Sequence, residues 1–470
     1  MCGIFLIYNK RGFLKDDTNN YIKNAKLLNH KEEKDSYRIV NNKYGSILLY
    51  HNKVNSLQPI IKNNIMIVAD GKIYNYKDLY NEIKTSLPSY IFKSKSNAEI
   101  LIPLYLLYGS GFISKIRGIF SFVLYDATKN ILIVVRDHIG FTSLYYVIKK
   151  NEDNDRIDTL MISSEMKALN NLSKNINVFE PGKVYINGTF FTHYSPKWKE
   201  LDYIPTGEIN YNEIKQKLID SVLKHILSDD PFGIILTGVL DSSLITSIMV
   251  YLKKNNFINN SIKIYTIGLE NTSDTIEAEN VSEYITHTTY TFTIEDVINS
   301  LEDVIYILET YDVNTIRSTI PLYLLFIQIK KNTDIKVFFT EEVSDIIFNN
   351  IINKRELLVE LENKVNILYK TSIANDLELM VPFADRDLID YIMNINLDKN
   401  VLIKMFDNNV SDTDIKTDDT FISSLKIHAE NNISDDEFNN REILFPINTP
   451  INKEAFLYRK IFENKIYIEF

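Results

Sequence analysis

The most reactive side chain near the amino end belongs to Cys2, which would become the first residue if Met1 were removed. A terminal cysteine carries a thiol and an α-amine, with ordinary pKa values of about 8.5 and about 7.7–8.0. The amine can act as the base that activates the thiol. A small buried hydrophobe at a chain start is the alternative. Cys2 is therefore a candidate nucleophile, and its neighbours must decide between the two interpretations.

A second candidate site is the polar loop Thr237-Gly-Val-Leu-Asp-Ser-Ser243. An apolar run precedes it and a segment with helical spacing follows it, so the pattern predicts a strand, a loop and a helix. In that setting, backbone N–H groups and the positive end of the helix can face a phosphate. An ordinary capped loop would also use Asp and Ser, and the loop alone leaves both interpretations open.

The segments that position these residues fall into two halves. Up to about residue 198, short β-prone runs are separated by turn formers, and one helical stretch, 98–108, interrupts them. This pattern predicts packed sheets flanked by helices. The clearest predicted strands are 46–50, 65–69, 120–125 and 131–135.

From about residue 209 the periodicity changes to that of alternating strands and helices. Ile214, Leu218, Val222 and Ile226 recur every four positions, which predicts an amphipathic helix. The alternation predicts a parallel, doubly wound sheet, with a linker within 197–208. The other predicted strands are 232–236, 263–268, 288–293 and 335–340, and the other predicted helices are 243–252, 277–285 and 294–311.

Length and composition limit the class of protein. A chain of 470 residues is too long for one core, and a hydrophobic share of 45% is typical of globular domains. The net charge of −10 argues against a large nucleic-acid surface. No apolar run reaches the ~18 residues of a membrane span. A single cysteine, with no secretory pattern at the start, predicts a cytoplasmic location.

Five segments of the first half stand in the order and spacing of a known family. They are 1–5, 70–75, 118–126, 136–140 and 163–168. On these segments, residues 1–198 resemble the N-terminal-nucleophile glutamine amidotransferases, and in particular the glutaminase half of asparagine synthetase. The resemblance implies an αββα sandwich of the Ntn-hydrolase type and makes Cys2 the nucleophile that attacks glutamine.

The residues that would bind glutamine depart from that family. By resemblance they are Lys53, Asp70, Gly71, Lys72 and Asn97, where the family has Arg, Asn, Gly, Glu and Asp. An ionised Asp70 has no proton to donate to an oxyanion, and losing one such donor typically costs ~10²–10³ in turnover. Lys53 offers a point charge without the arginine fork. We therefore predict that glutaminase activity is weak or absent.

The second half resembles the other domain of the same family. Residues 209–470 are expected to form an ATP-dependent synthetase domain of the pyrophosphatase-loop type, with a helical C-terminal part. The segment 237–243 is similar to the family's pyrophosphate loop, and 340–345 is similar to its acidic loop. The residues that the resemblance assigns to ATP are Leu236, Thr237, Gly238, Asp241, Ser242, Ile267, Thr340, Glu341 and Asp345.

The resemblance also implies a two-step reaction. ATP and aspartate would give β-aspartyl-AMP and pyrophosphate, and ammonia released from glutamine would attack the adenylate. Mg²⁺ would bridge the phosphates near Asp241 and Asp345, and Glu342 would act in forming the adenylate and in the attack upon it. The acidic pair Glu341 and Glu342 could instead form a solvated loop face. Relatives are often homodimers, and neither nucleic acid nor membrane is an expected partner.

The second half also departs from the pattern. Val239 replaces a loop glycine, and a β-branched residue would be strained there if the backbone needs positive φ. Glu341 and Val343 replace glycines in the acidic loop, and the segment 400–425 is shorter than the family's. Whether ATP still binds is therefore open.

Three hypotheses follow from the sequence. The first is a working asparagine synthetase that uses glutamine or ammonia. The second is a catalytically impaired relative that acts as a binding or regulatory module. The third is a related acyl-adenylating amidotransferase with another acceptor acid, as in β-lactam synthetase.

Overall fold

The computed structural model describes most of the chain, in two compact units. The described residues are 3–28, 36–51, 58–93, 96–151, 157–200, 202–228, 230–235, 240–270, 286–348, 354–395, 397, 419–441 and 449–466. For 240–243, 286, 354–355 and 419–420 only the backbone is described. The first unit comprises 1–208, 351–369 and 384–396, and the second comprises 209–350, 370–383 and 397–470.

Two segments from the second half of the sequence thus belong to the first unit, namely 351–369 and 384–396. The sequence gives no sign of this, because both segments have ordinary helical composition. The predicted domains, 1–198 and 209–470, are continuous in sequence and stay a prediction. The first compact unit differs from the first predicted domain because it also contains these two later segments.

Two antiparallel sheets form the centre of the first unit. The strands are β1 Ile4–Asn9, β2 Ser36–Asn42, β3 Gly45–His51, β4 Ile60–Lys62, β5 Ile65–Ile73, β6 Gly118–Asp126, β7 Ile131–Arg136, β8 Tyr145–Lys150, β9 Ile157–Ser163, β10 Asn177–Val178, β11 Lys183–Ile186 and β12 Thr189–Thr192. In the described residues, one sheet has the order β10-β8-β9-β1-β3-β2 and the other has the order β12-β11-β7-β6-β5-β4.

Alternation along the strands explains the layers. In β5, Met66 and Val68 pack between the two sheets, whereas Ile65 and Ile67 pack on the opposite face. Helices cover both outer faces. They are α1 Lys15–Ala25, α2 Tyr76–Ser86, α3 Leu101–Tyr108 and α4 Lys167–Asn170. The predicted αββα sandwich is confirmed.

A parallel sheet forms the centre of the second unit. Its strands are β13 Phe232–Ile235, β14 Ile262–Leu269, β15 Thr286–Phe292, β16 Val337–Phe339 and β17 Glu378–Met380. The order is β15-β14-β13-β16-β17, and every adjacent pair is parallel. The chain therefore builds outward from β13 in one direction and then in the other, which makes the sheet doubly wound, as predicted.

Helices connect and extend this sheet. They are α5 Tyr211–His225, α6 Leu240–Lys254, α7 Ile294–Leu308, α8 Val313–Asn332, α9 Ser344–Phe348, α10 Lys354–Ala374, α11 Arg386–Ile392, α12 Asp419–Asn432, α13 Asp435–Asn439 and α14 Lys453–Ile466. Of these, α11 and residues 354–369 of α10 belong to the first unit. Helices α12 to α14 give the predicted helical C-terminal part.

Several element boundaries differ from the predictions. The helix predicted over 294–311 ends at Leu308, because Glu309 adopts a left-handed backbone with φ +56°. The strand predicted over 335–340 is shorter, Val337–Phe339. The helix predicted over 277–285 lies outside the described residues. In the described ranges, no helix combines the length and apolar character needed to cross a membrane.

Candidate functional site

The candidate glutamine pocket is built on the end of strand β5. Asp70, Gly71 and Lys72 lie in this strand, which pairs along its whole length with β6. Gly71 has φ +98°, and a Cβ there would lie 2.1 Å from the carbonyl oxygen of Ile119. The backbone therefore requires glycine at this position, whatever the pocket binds.

Asp70 is buried, with 4% of its surface exposed. Its Oδ1 accepts a hydrogen bond from the backbone N–H of Gly71 at 2.8 Å. Its Oδ2 accepts a hydrogen bond from the hydroxyl of Tyr369, which is also buried. The Gly71 N–H, which the resemblance assigns to an oxyanion, thus donates to Asp70, and the side chain at position 70 accepts where a donor is needed.

Of the other residues predicted to act on glutamine, the structure describes two and leaves two outside the described ranges. Asn97 begins a 3₁₀ turn, Asn97–Ile100, that packs against β5, and it is half-buried. Lys72 is also half-buried. Cys2 and Lys53 lie outside the described residues. The structure therefore brings Asp70, Gly71 and Lys72 together on one strand with Asn97 beside it, and the glutamine site itself stays a prediction.

Tyr369 is the pocket residue that sequence reasoning missed. It lies in α10 one position after Leu368, and both residues are fully or almost fully buried. An aromatic residue at such a position is normally interpreted as core. Only the tertiary structure shows that its hydroxyl reaches Asp70, 299 positions away in sequence.

The candidate nucleotide site lies in the second unit at the carboxyl end of the parallel sheet. Strand β13 ends at Ile235 and helix α6 begins at Leu240, so the predicted strand, loop and helix are present. Leu236, Thr237, Gly238 and Val239 lie outside the described residues. Asp241 and Ser242 fall in the first turn of α6, where only the backbone is described.

Strand β13, which precedes this loop, lies where the sheet changes its winding direction. Strand β13 pairs on one side with β14, which carries Ile267, and on the other side with β16, which leads into Thr340. In doubly wound sheets, ligands bind outside the carboxyl ends of the strands at this point. The topology therefore places the end of β13, the start of α6 and the acidic loop 340–345 at the same edge of the sheet.

The acidic loop is partly buried. Thr340 and Glu341 are 1% and 6% exposed, and the Thr340 hydroxyl donates to Glu341 Oε2 at 3.2 Å. The backbone N–H of Thr340 donates to the carbonyl of Met380 at 3.1 Å, which ties the loop to β17. Glu342 is half-buried and Asp345 is exposed. A solvated loop face therefore does not describe the pair, since Glu341 is buried and Glu342 is half-buried.

Val343 has a left-handed backbone conformation of the kind that favours glycine. Its φ is +72° and its side chain is fully buried. A β-branched residue in the left-handed region is strained, by about 1–2 kcal/mol. The same question for Val239 falls outside the described residues.

The donors in the second unit suit magnesium in type, since carboxylate oxygens and phosphates are its usual ligands. Asp345 offers an exposed carboxylate at the correct edge of the sheet. Within the residues that the structure describes, no three His, Cys, Asp or Glu side chains come together as a metal site.

These features define a class of protein in which an Ntn-type antiparallel sandwich accompanies a doubly wound parallel sheet with polar loops at its switch point. Family models agree. One described as a glutamine amidotransferase domain matches residues 1–218, and one described as asparagine synthase matches residues 213–366.

Individual relatives match over longer stretches. The asparagine synthetase (glutamine-hydrolyzing) of Brassica oleracea is 32% identical over 460 residues, which are 86% of this chain and 76% of that protein. The protein of that name from Sandersonia aurantiaca is 35% identical over 65% of this chain and 59% of its own length. The probable asparagine synthetase (glutamine-hydrolyzing) of Schizosaccharomyces pombe is 31% identical over 75% of this chain and 66% of its own length. The chain thus spans less than two thirds of the last two relatives.

The chain belongs to the glutamine-hydrolysing asparagine synthetase family. The family predicted from the sequence motifs is confirmed. The roles of the individual site residues are not tested by these comparisons and remain proposals.

Proposed function

We propose that the chain is an asparagine synthetase, which amidates aspartate at the expense of ATP through β-aspartyl-AMP and yields AMP and pyrophosphate. One observation carries the proposal. Both matched modules occur in one chain, in the family order, and in the second module the end of β13, the start of α6 and the acidic loop lie at the switch point of a doubly wound sheet. A cytoplasmic location and a homodimeric state belong to the same proposal.

In this proposal the second unit binds ATP and activates aspartate. The backbone N–H groups at the start of α6 face the phosphates, and the hydroxyls of Thr237 and Ser242 add donors. Ile267, Thr340 and Glu341 lie along the nucleotide, and Glu342 lies beside the acyl-adenylate. Mg²⁺, held by phosphates with Asp241 and Asp345, would neutralise charge on the leaving pyrophosphate.

The nitrogen source is the part of the reaction on which the structure bears most. The family's name implies glutamine, with Cys2 as the nucleophile. In this chain Asp70 accepts two hydrogen bonds at the position where the oxyanion needs a donor. We therefore propose that free ammonia is the main nitrogen donor and that glutamine serves poorly or not at all.

The other two hypotheses are weaker. No relative compared above is named as an inactive protein, so the comparisons do not favour a purely regulatory module. A different acceptor acid is likewise without a specific observation in its favour. Both become outcomes of the same assay.

The test supplies purified full-length protein with ATP, Mg²⁺ and aspartate, and offers ammonia or glutamine in parallel. Products are identified by mass spectrometry. Asparagine and AMP from ammonia, with little from glutamine, are expected. Equal product from both sources would contradict the proposal on nitrogen. No asparagine from either source, in a protein that is folded, would contradict the proposed synthetase activity.

A further inference from the structure

We propose that Asp70 and Tyr369 form a clasp that closes the candidate glutamine pocket from within. The clasp consists of these two residues and the backbone N–H of Gly71. This inference rests on the proposed function, which assigns glutamine binding to the end of β5. It adds that Asp70 is a structural residue here and that Tyr369 excludes glutamine.

The first step of the argument concerns the carboxylate. Asp70 is 4% exposed, and each of its two oxygens accepts a hydrogen bond, Oδ1 from Gly71 N–H and Oδ2 from the Tyr369 hydroxyl. A buried carboxylate is stable only when it is bonded in this way. The burial of Asp70 is thus explained by these two hydrogen bonds without a substrate.

The second step concerns the position of the Tyr369 hydroxyl. A group that hydrogen-bonds to the end of side chain 70 occupies the place where an oxyanion would be received. The hydroxyl stands there, directly bonded to Oδ2. A tetrahedral intermediate could enter only if Tyr369 moved away.

The third step shows that Tyr369 is held firmly. Its side chain is fully buried, and its ring lies edge-to-face on Phe141 with centroids 6.3 Å apart and an interplanar angle of 74°. Phe141 is itself fully buried, and its N–H donates to Asp137 Oδ1 at 3.1 Å. Movement of Tyr369 would disrupt this packing.

The fourth step shows that the strand side of the clasp is equally fixed. The side-chain amide of Gln58 accepts from the N–H of Ala69 at 2.6 Å and donates to its carbonyl at 2.9 Å. Gly71 is confined by the carbonyl of Ile119. The residues on either side of Asp70 therefore leave it little freedom to turn towards a ligand.

The test uses the full-length chain with Tyr369→Phe, Asp70→Asn and the double variant. Tyr458→Phe is the matched control, because Tyr458 is fully buried and donates to buried Glu454 Oε1 at 2.9 Å in the second unit. Hydrogen exchange is followed by mass spectrometry in peptides from β5 and from residues 360–369.

Tyr369→Phe should raise exchange about tenfold in both peptides, because it leaves a buried carboxylate oxygen without its donor. The double variant should exchange more slowly than Tyr369→Phe, because the asparagine introduced by Asp70→Asn carries no charge. Tyr458→Phe should affect neither peptide. Unchanged exchange in Tyr369→Phe, or effects of the two single changes that simply add, would overturn the clasp.

Glutamate release from glutamine provides the second readout, with Cys2→Ala as background. The chain has one cysteine, so this variant removes every thiol. The native chain should release no glutamate above that background. Release that depends on Cys2 would overturn the closed pocket even if the clasp exists. Asparagine formation from ammonia, measured on the same samples, tests the proposed function separately and leaves the exchange result standing.

Discussion

The guanidinium group of Arg136 donates to Glu362 Oε1 at 2.7 Å, although 226 positions separate the two residues in sequence. Its remaining donors bond the carbonyls of Thr142, Phe179 and Gly140 and the side chain of Asn366. All five N–H groups of the side chain are thus used. Since Arg136 is buried, it joins strand β7 to two loops and to helix α10 within the first unit.

Arg136→Lys should therefore destabilise the first unit strongly. Lysine keeps the charge but has three donors and no planar fork, so several buried acceptors lose their partners. We expect the free energy of unfolding to fall by about 3–5 kcal/mol. Urea unfolding followed by tryptophan fluorescence measures this, because the chain's single tryptophan, Trp198, is buried in the same unit.

The matched control is Arg11→Lys. Arg11 pairs with Asp158 at 3.0 Å, but its side chain is 67% exposed. Such surface pairs contribute about 0–1 kcal/mol. Similar losses in the two variants would contradict the structural role assigned to Arg136.

A second prediction concerns the strained backbone of the acidic loop. Val343 has φ +72° and a buried side chain, so Val343→Gly loses packing but relieves strain, and the two effects should nearly cancel. Val343→Ala loses packing and keeps a Cβ in the left-handed region. The glycine variant should therefore be more stable than the alanine variant by about 1 kcal/mol. Urea midpoints from circular dichroism give the order, and the reverse order would mean that the backbone is not held in this conformation.

A third prediction concerns acid sensitivity. Burial, followed by the positive charges of Arg386 and Lys199, lowers the pKa of His138 from 6.5 to about 3. Between these values the unfolded chain binds a proton that the folded chain does not, so the free energy of unfolding falls as pH falls from 6.5 towards 3. Each pH unit contributes up to about 1.4 kcal/mol.

His138→Gln should flatten this dependence. Glutamine does not titrate, and its amide can still bond the carbonyl of Ala384 that His138 Nε2 contacts at 3.1 Å. Urea midpoints at pH 7.0 and 5.5, read from Trp198 fluorescence, should differ less in the variant. Part of the dependence should persist, because burial also lowers the pKa of His193. Parallel pH profiles for variant and native protein would show that His138 is accessible to protons when folded.

The fold was predictable from the sequence to the extent that local patterns specify it. The β-prone run at 65–69 falls within β5, and the four-residue spacing predicts α5. The shift of 351–369 and 384–396 into the first unit was not predictable, because it depends on tertiary contacts such as that of Arg136 with Glu362. Local periodicity has no information on which sheet a helix packs against.

The candidate site was likewise predictable from the sequence only in part. The resemblance assigns position 70 to the oxyanion, and the chemistry of an ionised carboxylate then makes Asp70 a poor donor. The sequence cannot show that the Gly71 N–H turns to Asp70 or that Tyr369 completes the bond, because both depend on atoms brought together by folding. The strain predicted for Val239 falls outside the described residues, whereas Val343, which also replaces a family glycine, has a left-handed backbone.

The last prediction concerns the buried ion pair that holds the final helix. Arg317 Nε donates to Glu454 Oε1 at 2.9 Å, a second guanidinium nitrogen bonds Oε2, and the hydroxyl of Tyr458 donates to Oε1 at 2.9 Å. The Glu454 side chain is 2% exposed and that of Arg317 is 17% exposed. Helix α14 is thereby attached to α8 inside the second unit.

Glu454→Gln should weaken this attachment, because it leaves the guanidinium charge of Arg317 largely buried and unpaired, at a cost of about 3–5 kcal/mol. Trypsin should then cleave within 453–466 faster than in the native chain. Glu463→Gln is the control, since Glu463 lies on the same helix and pairs with Arg459 at 2.7 Å but is 49% exposed. If both variants are cleaved at the native rate, α14 is held by its apolar residues alone, and the ion pair contributes specificity of packing instead of stability.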